Sequence, residues 1–167
     1  MRDSQADGSA RTASREEPAG EPEKSFEASA AWTGDATGRG ELLLGTDASL
    51  IPIAGSPELG GSGGAANPEE LLLGAIAACF INTWAIFIAK LQIDYPRPAI
   101  RVAGTLGNDP AGGYRMTGVV VRARVPEALL ATDRAKVEKT LSLAEKYCII
   151  SKVARAAMPL KVEIEPV

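Results

Sequence analysis

The chain contains two cysteines, Cys79 and Cys148, and no histidine. A thiol reacts as its thiolate, and burial raises its pKa unless something nearby stabilises the charge. The absence of histidine excludes Cys–His and Ser–His catalysis and removes the commonest metal ligand. Two cysteines without histidine do not make an ordinary zinc site either. What remains is thiol chemistry helped by a cation of another kind. Arg39 is a candidate, flanked by Gly38 and Gly40 in a hairpin pattern. A guanidinium stays charged when desolvated and grips a carboxylate through two parallel bonds. Glu69 could be that carboxylate. Each residue also has a plainer reading. Arg39 could be a solvated hairpin arginine, Glu69 a helix N-terminal acid, and both cysteines small core hydrophobes.

Cys79 must be positioned by the stretch Asn67–Gln92, NPEELLLGAIAACFINTWAIFIAKLQ. Asn67 can cap a helix, Pro68 suits its first position, and Glu69 and Glu70 suit the positive end of its dipole. From Leu71 to Ala89 only Gly74, Asn82 and Thr83 interrupt the apolar run. A helix apolar all round must be buried on every side. One chain of this size does not readily surround it, so the pattern predicts a homodimer with this helix at the interface. A membrane span is the competing reading by length alone. The polar Asn82 and Thr83 and the ordinary α+β pattern of the remainder argue against it.

Glu69 and Cys79 are ten residues apart, about 15 Å along a straight helix. They share a pocket only if the helix breaks near Gly74, or if Glu69 serves the Cys79 of a second copy.

The remaining pattern frames this helix. Residues 1–25 carry four basic and six acidic residues without an apolar run, which reads as a disordered tail with no secretory signal. Short strands are expected at 26–32, 39–44 and 50–54, and a glycine-rich loop at 55–66. That loop lacks the Lys-Ser/Thr pair or the GxGxxG spacing of a phosphate cradle. Strands follow at 100–106 and 114–125, with Val119, Val121, Ala123 and Val125 sharing one face. An amphipathic helix is expected at 132–147, a short helix at 151–157 and a last strand at 160–164. The net charge of -3 offers no basic surface to nucleic acid or an anionic membrane. A cytoplasmic protein is the expectation.

The segment NPEELLLGAIAACF, residues 67–80, resembles the first-cysteine signature of the OsmC/Ohr family, the osmotically inducible and organic hydroperoxide resistance proteins. KYCIISK, residues 146–152, resembles that family's second-cysteine motif, usually C-P-x-S, with Ile149 in the proline position and Ser151 kept. AWTGDATGRGE, residues 31–41, is similar to the family's N-terminal hairpin. The likeness covers residues 26–167, which are expected to form one peroxidase domain.

The resemblance implies an α+β fold. It would be an intertwined homodimer with a long central helix packed against wrapped antiparallel β-sheets. It implies a thiol peroxidase that reduces alkyl or fatty-acid hydroperoxides to alcohols. Cys79 would be the attacking residue and Cys148 the resolving one, linked by a disulfide. Glu69 would be the family glutamate, and Arg39 the family arginine in its hairpin position. No arginine lies between Arg39 and Glu69, so the pattern is closer to the Ohr type. No metal or cofactor is implied. A dithiol, such as a lipoylated protein, would be the reductant. The substrate pocket is expected to be apolar, lined by Phe80 and loop 55–66. The alternative is a non-catalytic or OsmC-type stress protein that binds a small apolar ligand.

Overall fold

The computed structural model describes residues 23–45 and 49–167. The expected tail therefore lies almost wholly outside the described residues. Its last three, 23–25, are irregular and exposed.

Strands β1 (Ala28–Thr33), β2 (Arg39–Leu44) and β3 (Ser49–Ala54) form an antiparallel sheet in sequence order. Helix α1 (Pro68–Lys90) follows, then β4 (Ala99–Asn108) and β5 (Tyr114–Val125). Helices α2 (Glu127–Tyr147) and α3 (Ile149–Ala157) carry the chain to β6 (Leu160–Pro166). The second sheet has the order β4-β5-β6. It departs from the expected all-antiparallel arrangement, because β6 runs parallel to β5. The two intervening helices provide the crossover that a parallel pair needs.

The core lies between α1, the second sheet and the other two helices. The alternation in β5 works as expected: Val119, Val121, Ala123 and Val125 are at most 2% exposed. Arg122 and Arg124 point away and meet Glu163 and Glu165 on β6 at 3.3 and 3.8 Å. These half-exposed pairs fix register more than they stabilise. Ile76, Phe80, Trp84 and Ile88, four residues apart on one face of α1, are buried in the same core. Each such side chain contributes about 1.5–3 kcal/mol by burial. The Trp84 indole N–H donates to the Thr140 hydroxyl of α2 at 2.9 Å, so its polar edge is satisfied.

The N-terminus of α1 forms as its sequence requires. The Asn67 side chain accepts from the Glu70 backbone N–H at 2.8 Å, and the Glu70 carboxylate accepts from the Asn67 N–H at 3.4 Å. This reciprocal pair satisfies two donors that a helix start leaves free.

Burial of α1 on every side does not occur within one chain. Its other face is open, with Leu72 37% and Ile86 46% exposed, and Ala75, Ala78 and Asn82 beside them. By length and hydropathy this helix would pass as a membrane span, yet one complete face is committed to the protein core. Among the described residues, the first sheet is similarly uncovered. All six residues of β1 are exposed, and Trp32, Leu44 and Leu50 are 45%, 40% and 57% exposed.

Two helix boundaries also differ from the expected ones. α2 begins at Glu127, but Asp133 has non-helical angles, so the amphipathic segment expected from Thr132 starts at a kink. α3 begins two residues early, at Ile149, immediately after Cys148.

Candidate active site

Cys79 lies midway along α1 and is half-buried, while Cys148 is fully buried where α2 gives way to α3. Cys148 ends one helix and starts the next. Its backbone N–H donates to the Ala144 carbonyl at 2.8 Å, closing α2, and its own carbonyl accepts from the Lys152 N–H at 3.2 Å. Its Sγ accepts from the Ser151 N–H at 3.4 Å and so caps α3. The packing of α3 on α1 brings this junction onto Cys79. Both thiols are free, and they are close enough to shift each other's titration.

The two sulfurs are placed differently. Burial works to raise the Cys79 pKa. The N–H of Ile150, the Cys148 thiol and the N–H of Ile149 outweigh it and hold Cys79 below the ordinary thiol value, while the Thr83 hydroxyl donates to the Cys79 backbone carbonyl at 2.8 Å. Burial pushes Cys148 up, and the neighbouring Cys79 adds to this against a partial offset from Ser151. The pair is thus sorted into a Cys79 that ionises more readily and a Cys148 held protonated. Sequence reading expected a cation beside Cys79. What lowers its pKa within the chain is hydrogen bonding at a helix start, which favours a thiolate for the same electrostatic reason.

Cys79 opens onto a cleft of about 620 Å³ between α1 and α2, lined by Cys79, Thr83, Ile86, Phe87, Tyr147 and Ile149 among others. Phe87 and Tyr147 pack with ring centroids 5.6 Å apart. The apolar character is as expected, but the lining is not. Phe80 is turned one helical face away into the core, and loop 55–66 takes no part in this cleft.

Arg39 and Glu69 are elsewhere. Arg39 is exposed on β2, opposite Ala54. Its guanidinium lies over Gly64, where φ is +74° and a Cβ would come within 3.4 Å of Nη2. α1 continues unbroken through Gly74, so Glu69 stays about 15 Å along the axis from the Cys79 of its own chain. Among the described residues, the Glu69 Oε2 atom is buried without a hydrogen-bond partner. One chain therefore brings Cys79 and Cys148 together and leaves Arg39 and Glu69 outside their cleft. Sequence reading missed Thr83 and the two backbone donors of Ile149 and Ile150. Main-chain donors have no residue signature, and the only available clue was a helix restarting right after Cys148.

The family model described as OsmC-like protein matches residues 61–163, which include both cysteines. This chain belongs to the OsmC family. Relatives of the family agree over most of the length. The chain is 33% identical over 138 residues to the organic hydroperoxide resistance protein of Xanthomonas axonopodis pv. citri (strain 306), covering 80% of this chain and 91% of that one. Among solved structures, an OsmC-like protein from Mycoplasma pneumoniae superposes with a TM-score of 0.72 at 14% identity, over 87% of this chain and 99% of that one. An organic hydroperoxide resistance protein OsmC from Legionella pneumophila gives 0.68 at 24% identity, over 86% and 99%. These structural likenesses establish the OsmC fold.

Proposed function

We propose that this chain is a cysteine peroxidase that reduces organic hydroperoxides to alcohols. The observation that carries the reading is the contact of Cys79 and Cys148, one thiol made acidic and the other kept protonated, at the mouth of an apolar cleft. The name of the Xanthomonas relative supports the same substrate class.

In the first step the Cys79 thiolate attacks the distal oxygen of R–OOH. The O–O bond breaks, the alkoxide takes a proton and leaves as R–OH, and Cys79 becomes a sulfenic acid. In the second step the Cys148 sulfur attacks the Cys79 sulfur, forming the disulfide and releasing water. An external dithiol then supplies two electrons and two protons by exchange, restoring both thiols. A lipoylated protein suits this role. An apolar R group gains from burial in the cleft, which favours alkyl or fatty-acid hydroperoxides over hydrogen peroxide. This reading needs no metal or bound cofactor. It goes with a soluble, cytoplasmic protein that binds no nucleic acid.

The arginine and glutamate enter through a second copy. The open face of α1 and the bare first sheet support a homodimer in which each chain covers the other. In that dimer the unpaired Glu69 carboxylate and Arg39 would meet at the partner's Cys79, with Glu69 orienting the guanidinium toward the departing oxygen. The deciding experiment is consumption of cumene hydroperoxide with dihydrolipoamide as reductant. Wild type should turn over, and Cys79→Ser should lose activity to background. Equal rates for the two would end the peroxidase reading and favour the ligand-binding alternative.

A further inference from the structure

Resting on Cys79 and Cys148 as the redox pair, we propose that Arg155 is a positioning residue for Cys148. By clamping α3 onto the end of α2, it holds the buried sulfur ready for Cys79. The corner between the two helices carries the argument. α2 and α3 are joined without a loop, since Cys148 is at once the C-cap of the first and the N-cap of the second. Across this corner the Arg155 guanidinium makes a fork. Its Nη1 donates to the Glu145 carboxylate at 2.8 Å, and its Nη2 donates to the Glu145 main-chain carbonyl at 2.9 Å. That carbonyl lies in the last turn of α2, where carbonyls lack an intrahelical donor, so the arginine completes the helix end. No other side chain of α3 hydrogen-bonds to α2 among the described residues.

α3 has little else to hold it. A helix of nine residues is too short to persist by its own propensity. It buries only Ser151 and Ala154, while Ile149 and Val153 are 69% and 66% exposed. Its orientation matters because Cys148 Sγ is tied to it: the Ser151 N–H donates to this sulfur at 3.4 Å. If α3 swings, that donor moves and the Cys148 side chain is released. The corner also faces the reacting thiol, because Ile149, the next residue, lines the cleft that holds Cys79. An ordinary surface ion pair would not carry this role, being worth little. Here the two side chains are only 33% and 32% exposed. One of the two bonds ends on the main chain, and a forked guanidinium fixes direction as well as distance.

The test is the thiol–disulfide equilibrium of the full-length protein in a glutathione buffer. One glutathione disulfide takes two electrons from the Cys79–Cys148 dithiol, giving the protein disulfide and two reduced glutathiones. The oxidised fraction, read by intact mass after acid quench, gives the equilibrium constant. Arg155→Ala should lower it about tenfold, because a reacting group has lost its placement. That is a rise of about 30 mV in reduction potential. A contact that only stabilised the fold would persist in both redox states and leave the equilibrium where it is. An equilibrium constant equal to wild type, with the reduced variant melting as one cooperative unit, would overturn the proposal. Arg155→Lys keeps the charge and loses the fork, so it should shift the same way by a smaller factor. It decides the matter if Arg155→Ala does not fold, and a wild-type value for it would then overturn the proposal. So would the absence of any protein disulfide in wild type. Peroxide takes no part in this equilibrium, so failure of the peroxidase reading would be seen separately, in the consumption of cumene hydroperoxide.

Discussion

Cys79 and Cys148 are the same functional group made unlike by their surroundings. The direction of each shift gives a pH prediction. A lowered pKa means that Cys79 ionises at a pH where an ordinary thiol, at 9.0, is still protonated. On the peroxidase reading, the single-turnover rate of the reduced protein with peroxide should therefore climb with pH and level off below 9.0. Cys148, with its raised pKa, stays protonated over that window. A rate still rising beyond the ordinary thiol range, followed by rapid quench, would contradict the assignment. The second prediction separates the two sulfurs. After one equivalent of peroxide, intact mass should show wild type two hydrogens lighter. Cys148→Ser should instead gain one oxygen. A lighter Cys148→Ser protein would mean that the disulfide has another partner. For Arg39, replacement by Lys keeps the charge and loses the forked contact. Turnover should fall strongly, and an unchanged kcat/KM would remove Arg39 from the mechanism.

The elements that hold these residues are stabilised by contacts that can be tested one at a time. The Trp84–Thr140 bond ties α1 to α2 inside the core. Thr140→Val should cost about 1–3 kcal/mol, because it leaves a buried indole N–H unpaired. Urea denaturation measures this, and a change below a few tenths would show that the indole finds another partner. Part of this level could be read from sequence. The alternation of β5 and the Asn-Pro-Glu-Glu start of α1 are local signals, and both elements form where they point. The start of α3 was less legible. Its first residue, Ile149, is β-branched, and its cap is a cysteine sulfur rather than a Ser, Thr, Asp or Asn side chain. No sequence rule for caps anticipates that.

At the scale of the whole molecule, an apolar face of α1 and the first sheet lack cover among the described residues. Sedimentation should give a dimer at micromolar concentration, and Ile86→Asp on the open face of α1 should shift it toward monomer. A monomeric wild type would refute the arrangement. A mixed dimer tests which chain supplies Glu69. If Glu69 serves the partner's Cys79, pairing a Cys79→Ser chain with a Glu69→Gln chain rebuilds one intact site and restores about half the wild-type rate. If Glu69 acts in its own chain, both sites are defective and the mixture stays inactive.

Residue types and spacing were enough to exclude histidine chemistry, to single out the two cysteines and to require a long apolar helix that needs covering. These follow from composition and periodicity, which any fold must respect. That the two cysteines become neighbours was decided by tertiary packing, since it depends on how α3 docks against α1. So was the way Cys79 is made acidic. Its donors include main-chain N–H groups, which every residue except proline carries, and only the path of the backbone determines where they point.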